Sequence, residues 1–417
     1  MSSLWSSGAM PHPELDPDRI AEKTSIETGL DHFGDPWFHR PLDKLAHALR
    51  EEAHLNPLGQ FVAEGQIRKV LRDRLWAQQW FSRHPEILER PLPHPVIVVG
   101  AMRSGTTRLH RLLAADNRFA HLRFFETVSP VPKPDVPASN SDRRRIAMAR
   151  HLLRAVRIAS PRTQAIHPTG PMQPEEELGL LVSSAWGMKH EAQWSIPGYG
   201  RWSEQEDPRP AYEYMARLLK LVSWVRGDSS LKPWILKTPQ HMLDLDALMQ
   251  VFPDARLIFI HRDPVRVVGS ACSLVWNQTN IHTDHADPHR IGREWLRKTS
   301  LQVKRMQDAR MSIPERQMID VHYADMDHDW RHVMGRIYRF LNMDIKPALP
   351  AMRRYLETAS AEVAGPHRYT LESFGIERED VIDELSDYIQ AFEIPMPHQR
   401  TAQIYAASTK QAAAIPA

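Results

Sequence analysis

A β-branched run, Val96-Ile97-Val98-Val99, leads straight into a loop with glycines at positions 100 and 105, and behind that loop Leu109, Leu112 and Leu113 step at helical intervals. Strand, glycine loop and helix in this order constrain the fold more than any other stretch. An apolar branched run without polar alternation predicts a strand covered on both faces, as parallel sheets require. Parallel neighbours need helical crossovers, so further strand–helix units must follow. Strand patterns recur at 234–236, 257–260 and 317–322, and helical patterns at 141–158, 175–189, 212–225, 243–251 and 265–276. Two more helical stretches lie near 330–341 and 350–359. The expected fold is α/β: a P-loop-like parallel sheet flanked by helices, with an N-terminal helical extension and a helical C-terminal part. The expected divisions are a helical extension over 1–90, the α/β domain over 91–400 and a flexible tail over 401–417.

The chain has 417 residues, a formal net charge of +2 and one cysteine, Cys272. This near-neutral balance gives no reason to expect a nucleic-acid partner. A single cysteine excludes an internal disulfide framework and a Cys-rich zinc site. No apolar run approaches the roughly 20 residues of a membrane span, and residues 1–11 lack a secretory pattern. The expectation is a cytoplasmic protein. Between Arg68 and Arg90, basic residues alternate with Trp76, Trp80 and Phe81, which reads as an amphipathic packing helix. A lipid-facing use of it keeps peripheral membrane contact open, and homo-oligomerisation is open too.

Gly100 and Gly105 have the spacing of a nucleotide-binding phosphate loop, G-x-x-x-x-G-K-[ST]. Such a loop turns backbone N–H groups into one cavity at the positive end of a helix. The departure is informative. The lysine position holds Thr106, so the group that reaches the β- and γ-phosphates of a triphosphate is missing. Positive charge sits inside the loop instead, at Arg103, beside Ser104, Thr106 and Thr107. A donor with one 5′-phosphate and one transferable group suits this layout.

Arg103-Ser104-Gly105-Thr106-Thr107 after an apolar strand resembles the 5′-phosphosulfate loop of sulfotransferases that use 3′-phosphoadenosine 5′-phosphosulfate (PAPS). Cytosolic members carry lysine at the Arg103 position; tyrosylprotein sulfotransferases and many bacterial members carry arginine. The resemblance runs from about Phe33 to Ile376. It implies that residues 103–107 bind the 5′ end of PAPS, with no metal required. It also implies that Arg262, at the end of a strand, and Ser270 on the following helix hold the 3′-phosphate, a task suited to a guanidinium and a hydroxyl.

Leu236-Lys237-Thr238-Pro239-Gln240-His241 resembles the Lys-Thr-His stretch of the cytosolic enzymes. Lys237 would then stabilise the transferring group, but Pro239 fills the histidine slot and cannot act as the base. Glu126, flanked by Phe124 and Phe125 in a setting expected to raise its pKa, is one replacement. His241 is another, and His167 a third. By the same resemblance Tyr323 contacts the nucleotide and Arg368 closes over the 3′-phosphate. Pro174-Glu175-Glu176-Glu177 resembles a Pro-Glu-Glu element of bacterial members, but three acids after a proline also suit the first turn of a helix. The implied activity is sulfuryl transfer from PAPS to a hydroxyl of a small-molecule or lipid acceptor. Phe124, Phe125, Trp186, Trp194, Tyr199 and Trp202 are the candidates for an apolar acceptor pocket. A nucleotide kinase or NTPase and a non-catalytic nucleotide-binding relative are the rivals.

Overall fold

Four short strands share one parallel sheet in the computed structural model, which describes residues 5, 11–160, 169–361 and 370–396. They are β1 (Val96–Val99), β2 (Ile235–Lys237), β3 (Arg256–His261) and β4 (Met318–His322), in the spatial order β2-β1-β3-β4. Register is continuous across the sheet: Val98 lies beside Lys237 and Ile258, and His261 beside His322. The first strand is therefore central. The chain leaves it to one side for β2 and returns on the other for β3, so the strand order reverses at the loop that follows β1. Open α/β sheets bind their ligands at that switch, outside the carboxyl ends of the strands.

Alternate residues of the strands feed two cores. Ile97, Val99, Leu236, Leu257 and Phe259 face one apolar cluster, built with α7 (Arg209–Arg226), α8 (Leu245–Val251), α9 (Pro264–His282) and α10 (Pro288–Arg310). Val96, Val98, Ile235, Ile258 and Ile260 face the other, with α4 (Thr106–Ala114) and α11 (Tyr323–Phe340). All four residues of β1 are buried, which explains why its sequence does not alternate.

The N-terminal helices α1 (Pro17–Thr28), α2 (His39–Glu51) and α3 (Pro57–Arg83) form a third cluster around Trp194 and Tyr199. The third of these helices is a packing helix: Ile67, Val70, Leu71, Leu75 and Phe81 are buried. Arg74 is buried in it and donates to the carbonyls of Phe33, Asp35 and Ser183. Its guanidinium also lies 3.8 Å from the centre of the Phe38 ring. A cation in the core is tolerated only with its donors occupied in this way.

Two readings need correction. The helix expected over 175–189 is broken into Leu178–Leu181, a 3-10 turn at Val182–Ser184 and Lys189–Gln193. Ala185 and Gly187 have positive φ, at 51° and 112°, and interrupt it. Helix α10, 23 residues long, was not anticipated. The tail over 401–417 lies outside the described residues.

Candidate active site

Each strand ends at or just before a residue that the sequence singles out. After β1 comes the glycine loop, in which Arg103 (φ 75°) and Gly105 (φ 97°) both adopt the left-handed conformation. This turns the chain sharply into α4, whose first-turn N–H groups lack helical partners. Gly105 has no alternative here, because a Cβ on it would lie 2.1 Å from a ring carbon of Tyr323. The Ser104 hydroxyl is buried without a hydrogen-bond partner among the described residues. Among the described residues it is one of the buried polar atoms left unsatisfied by protein groups.

Lys237 is the last residue of β2. Its side chain is 1% exposed, and its ammonium donates to the Thr107 hydroxyl at 3.2 Å and to a carboxylate oxygen of Glu176. The lysine missing from the loop is thus replaced by one from the neighbouring strand, whose charge reaches the loop's own threonine. His110, one turn further along α4, is buried; desolvation first, and the Lys237 charge second, hold its pKa well below 6.5.

Arg262 follows β3. Asp263 caps α9 by accepting from the Val265 N–H at 2.9 Å, and Pro264 opens the helix. The arginine itself donates to the Arg103 carbonyl at 2.7 Å and stacks 4.2 Å from the centre of the Tyr323 ring, which follows β4. Ser270 of α9 accepts from Arg103 Nε at 2.9 Å. Arg103, Arg262, Ser270 and Tyr323 therefore form one cluster around the loop. The two arginines turn donors onto protein oxygens.

The candidate bases fare differently. Glu126, on α5 (Phe124–Val128), is buried but not in an apolar setting. Arg123 contacts it at 2.5 Å and Arg226 grips both of its oxygens. Burial alone would raise its pKa, but the Arg226 charge and then Arg123 pull it down to about 2. The expectation of a raised pKa is overturned: the carboxylate is a fixed anion and a poor base. His241 is wholly buried. One ring nitrogen lies 2.5 Å from Glu177 and the other 3.0 Å from the Tyr212 hydroxyl. Glu177 in turn accepts from the Lys237 backbone N–H at 2.8 Å, so this chain of contacts supports the end of β2. With both nitrogens occupied inside the core, His241 presents no face to an acceptor. His167 and Arg368 lie outside the described residues.

Glu176 was undervalued in the sequence. Glu175 and Glu176 stand before the helix rather than in its first turn. An antiparallel bridge between Arg123 and Pro174 ties this segment to the start of α5, and Glu176, half-buried, meets the Lys237 ammonium. The signal was the Pro-Glu-Glu-Glu run itself, which dipole reasoning explained too readily. Of the aromatic candidates, Phe125, Trp186, Trp194 and Tyr199 are core residues, while Phe124 and Trp202 keep partial exposure. Glu191, Glu204 and Glu294 are the group of acids with metal-ligand spacing among the described residues. The Lys298 ammonium contacts two of them, 2.7 Å from Glu191, and already supplies the cation there.

The sequence profile of the Sulfotransferase family matches residues 95–347, from the start of β1 to just before the last long helix. Among characterised relatives, the omega-hydroxy-beta-dihydromenaquinone-9 sulfotransferase Stf3 of Mycobacterium bovis is 25% identical over 323 residues, covering 72% of this chain and 76% of the relative. The crystal structure of sulfotransferase STF9 from Mycobacterium avium superposes with a TM-score of 0.80 at 25% identity, over 91% of this chain and 97% of that one. Sulfotransferase STF1 from Mycobacterium tuberculosis H37Rv gives 0.73 at 27% identity, over 89% and 98%. The matched segment contains the glycine loop, Lys237, Arg262, Ser270 and Tyr323. The chain belongs to the sulfotransferase family.

Proposed function

We propose that this sulfotransferase takes its sulfuryl group from PAPS and delivers it to the hydroxyl of a hydrophobic, lipid-like acceptor. The observation that carries the donor assignment is the Lys237 ammonium on Thr107, beside a loop whose own lysine position is Thr106. In this reading the Lys237 charge stabilises the bridging oxygen as negative charge develops there, while the loop lacks the lysine that reaches the β- and γ-phosphates of a triphosphate. The fit to the donor rests on the buried, unsatisfied Ser104 hydroxyl, the first-turn N–H groups of α4 and the Arg103–Ser270–Arg262 cluster. In this reading residues 103–107 hold the 5′ end, Arg262 and Ser270 hold the 3′-phosphate, and Tyr323 packs under Arg262.

In the reaction, the acceptor oxygen forms a bond to sulfur while the bond from sulfur to the bridging oxygen breaks. Adenosine 3′,5′-bisphosphate leaves, and the acceptor's proton goes to a base. We assign that base to Glu176, the half-buried carboxylate in contact with Lys237. Glu126 is immobilised between two arginines, and His241 is enclosed in the core. Support for a hydrophobic acceptor is the relative named for omega-hydroxy-beta-dihydromenaquinone-9, a long apolar quinone bearing a hydroxyl.

Calorimetry with adenosine 3′,5′-bisphosphate and with ATP·Mg tests the donor. Binding of the bisphosphate and not of ATP is the expected result; tight ATP binding with no response to the bisphosphate would overturn it. A labelled-donor assay against a prenyl alcohol, a phenol and a simple sugar tests the acceptor, and transfer to the sugar alone refutes a lipid-like substrate.

A further inference from the structure

A long helix that follows α5 is covered by the protein along only half its length. Helix α6 (Ala138–Ala159) is seated at its N-terminal end: Ser141, Arg145 and Ala149 are buried, and Arg145 donates to the Ser129 carbonyl at 2.7 Å. From Arg150 to Ala159 no residue is buried. The uncovered part is amphipathic. Met148, Leu152, Ala155 and Ala159, at intervals of four, three and four, share one stripe and are all exposed. Met148 and Leu152 are 40% and 41% exposed, and Ile158, on the flank, 73%. Arg143, Arg150, Arg154 and Arg157 make a second exposed stripe. The helix contains one acidic residue, Asp142, and it is taken by Arg145. Among the described residues, the four arginines of the stripe have no carboxylate partner.

We propose that this part of α6 is an interfacial helix that docks on an anionic lipid bilayer. A helix with an apolar stripe on one side and arginines on the opposite side, too polar to span a membrane, lies in the headgroup plane with its apolar face inward. The excess of unpaired arginine selects an anionic surface over a neutral one. The seated end also connects to the elements that carry Glu176. The seated end of α6 rests on α5, where Arg145 lies 5.0 Å from the centre of the Phe125 ring. From there the Arg123–Pro174 bridge connects to the segment that carries Glu176. The proposal rests on the helix alone and stands whichever alcohol is sulfated.

The test is flotation of the full chain with phosphatidylglycerol-containing vesicles and with pure phosphatidylcholine vesicles, without acceptor. The wild type should float with the anionic vesicles and stay behind with the neutral ones. An arginine near an anionic surface contributes about fivefold in partitioning. The Arg150→Ser/Arg154→Ser/Arg157→Ser variant should therefore lose about a hundredfold, and Leu152→Ser several-fold. Binding of adenosine 3′,5′-bisphosphate should be unchanged in both variants, since none of these residues touches the loop cluster. Failure of the wild type to float, equal flotation with neutral vesicles, or full flotation of the triple variant each overturns the proposal. So does concentration-dependent self-association that the triple variant abolishes while no vesicle is bound, because a second copy would then cover the face.

Discussion

Two conservative substitutions, Glu176→Gln and Glu126→Gln, should separate a catalytic carboxylate from a structural one. The amide at 176 still offers an oxygen to the Lys237 ammonium, so the lysine keeps a partner while the proton acceptor is lost. Removing a general base costs about 10²–10⁴ in kcat. Stability should hardly change, because the carboxylate keeps solvent contact, at 19% exposure. Glu126 is the opposite case. Its pKa falls from 4.5 to about 2, a displacement equivalent to about 3 kcal/mol of preferential binding of the carboxylate in the fold. Its two partners, Arg123 and Arg226, are 26% and 13% exposed, so water recovers part of that when the charge is removed. A loss of about 2–3 kcal/mol results, at the lower edge of what breaking a buried pair costs. Spread over a chain of this length, it lowers Tm by about 3 °C.

Differential scanning calorimetry and a single-turnover transfer assay on the same two preparations give both axes. The expected pattern is crossed: Glu176→Gln inactive with wild-type Tm, and Glu126→Gln active with lowered Tm. An inactive Glu126→Gln with unchanged Tm would restore Glu126 as the base. A Glu176→Gln enzyme that keeps more than about a tenth of wild-type kcat would remove Glu176 from the chemistry.

Further perturbations probe the loop and its supports. Lys237→Ala should lower kcat at least a hundredfold while leaving bisphosphate affinity within a few-fold, as read by transfer rate against calorimetric Kd. Gly105→Ala forces a Cβ to within 2.1 Å of the Tyr323 ring at a φ of 97°, so donor binding should fall at least tenfold. Arg262→Ala removes a charged donor and should weaken adenosine 3′,5′-bisphosphate binding by about 10–100-fold; unchanged Kd would dissociate it from the 3′-phosphate. Stability should fall in mild acid. Burial, with Arg226 assisting at one of them, holds His121 and His282 down to about 4 from 6.5, so each protonates more readily unfolded than folded. Their contribution is intact above pH 6.5 and erodes towards pH 4, by about 2 kcal/mol each at pH 5. Glu126 adds a further loss only below pH 4.5. Equal denaturation midpoints at pH 7.5 and pH 5 would contradict this.

What could be read from the residues depended on how local the cause was. The strand–loop–helix at 96–114 was legible because each signal is local: branched residues buried on both faces, glycine at a positive φ, leucines on one side of a helix. Strand β3 is of the same kind. Helix α10 escaped because its apolar positions are diluted by lysine and arginine that snorkel or pair with distant acids, as Lys298 does with Glu191 and Glu204. The break at 185–187 depends on Ala185 taking φ 51°, which no local preference of alanine requires. Glu126 was misread for a related reason. Its neighbours in sequence, Phe124 and Phe125, predict an apolar pocket, but Arg226 lies 100 positions away and sets the charge state. The two glutamates differ in whether the counter-charge beside them is one that the proposed reaction itself uses. Lys237 is such a charge for Glu176, since in the proposed mechanism both act on the same transferring group. Arg123 and Arg226 are not, since both remain on Glu126 throughout, and this difference in partners separates the two roles.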